Sequence, residues 1–320
     1  LFPEVRDKWR CWRIHGTNIR KAHGPTSVVK ALRESCNVFM YHLGEDLGID
    51  NLCSAFDMVG IGRPKGAGTG LREENEGINP TPDFLLNRLD RPVTRAHPRL
   101  FAVGQGELAL TPLQVANLVA TYANGRWREV TLIRSELERP EWILPGEPGH
   151  WSAIRRGMYE VVNDPTGTAY KTARFVHDRY VLCGKTGSAT AHPWPTAYRI
   201  PYFDADGTED VALLPAGASE PAIERFRREH PGATFDPSEV EKASTWPSVP
   251  PPEGERYSHA WFAGYLQAVD AAHQPDWSVP PRVAFAVLVE FGGSGGRTSG
   301  PIAQRIAATL LDTFGAELNY

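Results

Sequence analysis

The amino-acid sequence predicts an α/β chain of the α+β kind, a sheet covered by helices. Helical spacing comes early, strand-like apolar runs follow, and one amphipathic helix closes the chain. Helices and strands segregated in this way pack as layers, not as alternating strand–helix–strand units. At 320 residues the chain can bury a substantial core in one large or two ordinary domains.

The elements follow in order. Thr26 or Ser27 is expected to cap a helix whose buried face is Val28, Leu32, Phe39, Leu43 and Leu47. Thr111-Pro112 opens a second helix that Asn124-Gly125 closes, with proline at the first turn and glycine past the end. Trp151, Ile154, Met158 and Val161 carry helical spacing. Tyr180-Val181-Leu182-Cys183 reads as a buried strand, and Ala260–Val269 and Arg282–Phe291 read as two more, bounded by Pro, Asp and Gly. Ser299-Gly300-Pro301 starts the final helix, with Ile302, Ile306, Leu310 and Phe314 on one face.

Composition removes several function classes. A net charge of −4 with scattered basic residues gives no reason to expect nucleic acid. The exception is Arg6 to Lys21, which is basic and carries Trp9 and Trp12. It is expected to be a solvated hairpin; a surface near anionic lipid or glycan is the sharper alternative. Cys11, Cys36, Cys53 and Cys183 lack CxxC spacing, so no disulfide framework is expected. Cys11, His15 and His23 could contribute to a zinc site, but without a clear fourth ligand no metal is expected. No run of eighteen apolar residues is present. The chain opens mid-pattern without methionine, so any membrane helix is expected upstream of Leu1.

Lys185-Thr186-Gly187-Ser188 follows the Tyr180 strand. An ammonium, two hydroxyls and a glycine that admits a ligand to the backbone suit recognition of a carboxylate beside a reacting carbonyl. Ser35-Cys36-Asn37 lies 150 residues earlier. Either triplet alone is weak: Lys-Thr-Gly arises by chance in roughly one such chain in ten to fifteen, and Ser-x-Asn about once per chain. Together and in this order they are two of the three elements S-x-x-K, S-x-N and K-T-G of the penicillin-recognising serine enzymes.

Further segments carry the same resemblance. Gly104-Gln105-Gly106 with Leu110-Thr111-Pro112-Leu113-Gln114 is similar to the class B penicillin-binding proteins. So are Cys36-Asn37-Val38-Phe39-Met40-Tyr41, Asp164-Pro165-Thr166-Gly167-Thr168-Ala169 and Ala260-Trp261-Phe262-Ala263-Gly264-Tyr265. The resemblance runs from about Trp9 to about Leu311 and is nearest to the elongation-type D,D-transpeptidases. It implies a penicillin-binding transpeptidase or serine β-lactamase-like fold: a central antiparallel sheet, helices on both sides and a helical subdomain. The whole chain, 1–320, would be one such domain, incomplete at its N-terminus.

What the family implies about chemistry carries over position by position. Ser35 would relay protons near the leaving group, and Asn37 would hold the substrate amide. Lys185 would raise the positive potential and bias proton transfer. Thr186 and Ser188 would bind the terminal carboxylate of a stem peptide, and Gly187 would leave room for the acyl chain. The Ser188 N–H would be an oxyanion donor, a kind of group whose removal costs roughly 3–4 kcal/mol. No cofactor is required. The implied partners are peptidoglycan stem peptides, β-lactams and a membrane glycan polymerase, and the implied place is the periplasmic face of the bacterial inner membrane. A catalytically silent module that binds muropeptide or scaffolds a polymerase is the alternative.

The nucleophile is the missing element. Ser27-Val28-Val29-Lys30 is the chain's one S-x-x-K, yet Ser27 precedes Ser35 by only eight residues. On one helix the two serines would stand roughly 12 Å apart along the axis, too far to converge. Ser27 therefore reads as a cap, and the attacking serine is expected upstream of Leu1.

Two other motifs fail on context. Gly292-Gly293-Ser294-Gly295-Gly296 matches a hydrolase nucleophile elbow, but no histidine follows Ser294. Gly104-x-Gly106-x-x-Ala109 imitates a dinucleotide fingerprint without the strand–helix–strand frame. Between the K-T-G strand and the Ala260 strand, residues 192–258 form an insertion longer than the family leads one to expect. It holds a charged helical patch, Ala222–His230, and a proline run, Pro247–Pro252. Stretches of this length are usually functional or disordered. A lid or partner-docking arm is expected, with a disordered spacer as the alternative.

Overall fold

A computed structural model describes residues 9–13, 22–63, 69, 74–132, 140–191, 194–214, 222–246 and 257–315. The chain divides into two compact units, 1–189 with 259–320, and 190–258. In the larger unit the elements run α1 (Val28–Arg33), α2 (Asn37–Met58), α3 (Pro82–Leu89), α4 (Ala96–Phe101), α5 (Pro112–Asn124), β1 (Arg126–Arg128), β2 (Glu141–Ile143), α6 (Pro148–Asn163), α7 (Tyr170–Ala173) and β3 (Tyr180–Thr190). The smaller unit contributes β4 (Trp194–Phe203), β5 (Glu209–Leu214), α8 (Ala222–Glu229) and β6 (Glu241–Trp246). The chain then returns through β7 (Ser258–Ala268), β8 (Ala284–Val289), a π-helical turn (Gly295–Ser299) and α9 (Gly300–Phe314).

β3, β7 and β8 form a three-stranded sheet in that order. β7 and β8 are antiparallel, with Phe262 opposite Val287. β3 also runs antiparallel to β7: Val269 N donates to Arg179 O at 3.0 Å, and Gly184 packs against Gly264. Neither glycine can be enlarged, because a Cβ there would strike the facing strand or the Phe262 ring. Alternation sorts the side chains. Leu182, Phe262, Leu266 and Val287 face one way, onto Val161, Val162, Ala303, Ala307 and Leu311 of α6 and α9. Cys183, Ala263 and Tyr265 face the other way, onto Val119, Ala123 and Met158 of α5 and α6. Each fully buried large apolar side chain contributes roughly 1.5–3 kcal/mol. The sheet is thus antiparallel with helices on both faces, as the resemblance implies.

α5 fits its sequence signals closely. Thr111 and Gln114 form a reciprocal capping box, and Gly125 closes the helix at φ 69°. Other expectations need correction. The early helix is two helices, broken at Ser35, because Ser27 and Leu32 belong to a six-residue helix that ends at Arg33. Its expected buried face is not one: Val28, Leu43 and Leu47 are 40–42% exposed. On α9 the buried stripe is Ala303, Ala307 and Leu311, one residue along from the expected face, since small residues let the helix approach the sheet. Lys185–Ser188 lies inside β3, whose ladder with β7 carries the strand on to Thr190. Trp9 is not solvated but buried, edge-on to Tyr41 at 5.0 Å and under the Arg99 guanidinium. His15 and the proline run 247–252 lie outside the described residues.

The smaller unit has its own sheet, order β5–β4–β6, all antiparallel. Ile200, Tyr202, Ala212, Leu214 and Phe226 form its core. Phe226, the apolar anchor of α8, stacks on His230 at 4.7 Å. The described residues of the insertion are folded around this core.

Candidate active site

Ser35 owes its position to the way α1 ends. Cys36 N donates to Ala31 O at 2.9 Å and Ser35 N to Leu32 O at 3.3 Å, the paired bonds of a Schellman close. The residue at the turn must take positive φ, and here it is Ser35 at 54°, where glycine is usual. Trp12 Nε1 holds the Ser35 carbonyl at 2.9 Å, and Glu34 beside it is paired with Arg13 and Arg33. A strained, externally braced serine aims its hydroxyl where a relaxed turn would carry no side chain. Ser35→Gly is expected to be about 1 kcal/mol more stable than Ser35→Ala in denaturant melts, because only glycine relieves the strain.

The hydroxyl meets Lys185. Lys185 Nζ donates to Ser35 Oγ at 2.8 Å and to Thr186 O at 2.9 Å. Burial of the ammonium lowers Lys185 to about 8 from 10.5. Such a group exchanges protons near neutral pH. The folded state releases this proton near pH 8, whereas the unfolded chain holds it to about 10.5. Across that window the unfolded state binds more protons, so stability should rise with pH. Comparing wild type with Lys185→Met from pH 7 to 10.5 in denaturant melts checks it: the wild type should gain relative to the variant.

Alternation turns Thr186 and Ser188 away from Lys185. Thr186 Oγ1 lies 2.8 Å from Thr168 Oγ1. Ser188 Oγ accepts from Gly295 N at 3.1 Å. The glycine-rich loop packs directly on the strand, for Gly295 abuts Gly187 and Trp261, and Gly296 abuts Thr168. Gly187 lies over Trp261, whose Cβ would stand 3.2 Å from a Cβ placed there. Asn37 sits at the first position of α2, two residues after Ser35, and bonds the Tyr41 hydroxyl one turn on.

Ser27 is placed as a cap: its Oγ accepts from Lys30 N at 3.4 Å, while Lys30 Nζ donates to His23 O and Pro25 O. Ser294 likewise caps the π-helical turn, accepting from Arg297 N. Cys11 Sγ lies 3.0 Å from His23 Nδ1. Among the described residues no group of three or more His, Cys, Asp or Glu is placed to hold a metal ion. Among them, too, no helix is long and apolar enough to cross a membrane.

The structure thus brings Ser35 to Lys185 directly, and adds Trp12, Thr168, Gln105 and Gly295 around the motifs. Sequence reasoning quoted the segments that carry Thr168, Gln105 and Gly295 but gave those residues no role. Trp12 stood out only as an aromatic of the basic stretch Arg6 to Lys21, with nothing to tie it to Ser35.

Residues 3–194 match the family model described as penicillin binding protein transpeptidase domain. The chain is similar to the peptidoglycan D,D-transpeptidase MrdA of Escherichia coli K12, 30% identical over 199 residues, covering 59% of this chain and 30% of the relative. It is 24% identical to MrdA of Haemophilus influenzae over 324 residues, covering 98% of this chain and 39% of that protein. It therefore spans about a third of the length of these relatives. Penicillin-binding protein PBP2 of Helicobacter pylori, solved in complex with MreC, shares the fold. Its TM-score is 0.62 at 23% identity, over 95% of this chain and 42% of that one.

Proposed function

Because the chain belongs to the penicillin-binding protein transpeptidase domain family, in its class B branch, we propose that it supplies the S-x-N and K-T-G side of a peptidoglycan D,D-transpeptidase site. The observation that carries this reading is the 2.8 Å bond from Lys185 Nζ to Ser35 Oγ, which joins two motifs 150 residues apart. A lysine lowered to about 8 beside a braced hydroxyl is a proton relay. Ser35 passes a proton to the leaving amine, and Lys185 replenishes it or takes it back. Asn37 holds the substrate amide. Thr186 and Ser188 receive the terminal carboxylate of a D-Ala-D-Ala stem peptide, and the Ser188 N–H receives the oxyanion.

The attacking serine is assigned upstream of Leu1, since Ser27 and Lys30 are both engaged as cap and tether. The acceptor is the amine of a neighbouring stem peptide. A partner protein is proposed because a structural neighbour was solved in complex with MreC. A membrane glycan polymerase and the periplasmic membrane face complete the proposed setting. Residues 192–258, whose described part has its own core, are proposed as a lid or docking arm.

Intact mass after exposure to a reactive β-lactam, with adduct mapping, tests the reading on the full gene product. One stoichiometric adduct on a serine other than Ser27 supports it. An adduct on Ser27 overturns the assignment, and no adduct leaves the silent muropeptide-binding module.

A further inference from the structure

Thr186 and Ser188 are the two hydroxyls proposed to receive a carboxylate, and each already has a partner within the protein. A hydroxyl carries one proton and two lone pairs, whereas a carboxylate only accepts. Either hydroxyl can serve a carboxylate only if its own proton is left for the ligand. Ser188 meets this condition by necessity, because its Oγ faces the Gly295 N–H at 3.1 Å, which can only donate. Thr186 Oγ1 faces another hydroxyl, Thr168 Oγ1, at 2.8 Å, and in that pair either oxygen can be the donor. Once a carboxylate takes the Thr186 proton, Thr168 must be the one that donates.

Thr168 is fixed for this task by its backbone. Asp164 ends α6 and folds the chain back: its Oδ1 accepts from Thr166 N at 2.8 Å and from Thr166 Oγ1 at 2.6 Å, and its carbonyl from Gly167 N at 2.8 Å. Gly167 then lies flush on the last turn of α6, where a Cβ would strike the carbonyl oxygens of Glu160 and Val161. Ala169 N closes the turn on Val161 O at 3.0 Å. Between these two, Thr168 N donates at 3.2 Å to the carbonyl of Arg33, the last residue of α1 and two before Ser35. The glycine-rich loop packs on the same residue, for a Cβ on Gly296 would lie 2.8 Å from Thr168 O. The threonine is thus held among the Ser35 turn, α6 and the glycine-rich loop, with its hydroxyl on the K-T-G strand.

We propose that Thr168 is a positioning residue of the carboxylate subsite: its hydroxyl donates to Thr186 Oγ1 and so commits the Thr186 proton to an anionic ligand, as the Gly295 N–H does for Ser188. This rests on the proposed transpeptidase reading and deepens it to the selection of a free carboxylate. A hydroxyl that accepts one hydrogen bond donates a stronger one, so the pair is polarised toward the anion. The gain is largest for a charged acceptor, whose hydrogen bonds are roughly twice as strong as neutral ones. An esterified ligand end benefits less than a free acid.

The test uses the full gene product, a penicillin with its free carboxylate and the methyl ester of the same penicillin. Second-order acylation rates give a ratio of acid to ester, in which general damage to the fold cancels. Thr168→Val keeps the shape and the backbone bond to Arg33 O but removes the donor. The ratio should then fall roughly threefold to tenfold, the value of one hydrogen bond. Thr168→Ser keeps the hydroxyl and should keep the wild-type ratio, which a packing role for the threonine methyl would not allow. Thr168→Ala should lower the ratio as valine does, and it replaces the valine variant if that one does not fold. A ratio unchanged without the hydroxyl, or lowered as much in Thr168→Ser, overturns the role of Thr168 and leaves the transpeptidase reading standing. A wild type acylated by neither compound overturns that reading and this inference with it.

Discussion

Lys185→Ala is expected to slow β-lactam acylation of the full gene product by roughly 100- to 10,000-fold, the range spanned by a positioned acid–base group. The loss follows from geometry. Lys185 Nζ is the partner that orients Ser35 Oγ, and its other bond is to the Thr186 carbonyl of its own strand. Without the ammonium the Ser35 hydroxyl keeps its braced backbone but loses its proton partner. The remaining rate should no longer bend near pH 8, where Lys185 changes charge in the wild type. A stopped-flow acylation series over pH 6 to 10 reads both effects at once. An unchanged rate, or a bend that survives the substitution, would remove Lys185 from the relay. Lys185→Arg should not restore the rate, because a guanidinium stays protonated throughout.

Gly295→Ala should give the largest loss of stability of any single methyl added near the site. A Cβ there would collide with the carbonyl oxygens of Gly187 and Trp261 and lie 2.9 Å from Gly187 N. All three are backbone atoms of the sheet, so no flexible side chain can give way. Overpacking of this kind costs about 1–3 kcal/mol and more when backbone must shift. The same change would disturb the Gly295 N–Ser188 Oγ bond, so stability and carboxylate recognition should fall together. Gly293→Ala is the control: its φ is 72° but nothing lies within 4 Å, so it should cost only about the 1–2 kcal/mol of left-handed strain and leave the site intact. Denaturant melts of the two variants, with acylation rates beside them, separate space from strain. Equal losses in both would refute the packing account.

Much of this was legible in the chain itself. α5 was readable from its ends, because Thr111, Pro112 and Gly125 act on the backbone within one turn of where they stand. The motif residues Ser35, Asn37 and Lys185–Ser188 were legible as a family pattern. The face of α9 was not: Ile302 and Phe314 have the larger apolar side chains, yet Ala303 and Ala307 are the buried ones. Which stripe wins depends on how closely the sheet can be approached, and periodicity does not encode that. The break at Ser35 was missed for a related reason. Positive φ at a serine runs against local preference and is held by Trp12 and the Glu34 pairs, which come from other parts of the chain.

The sequence by itself determined both ends of α5, the existence of the three sheet strands and the motif residues able to carry the chemistry. Those are local properties, fixed by side-chain capping, alternation and residue type. Only the tertiary structure decided that Ser35 Oγ lies 2.8 Å from Lys185 Nζ, that Gln105 caps the β3 edge and that Gly295 must have no side chain. Each of these joins residues more than eighty positions apart, and their approach is set by the packed sheet and helices, not by either segment alone.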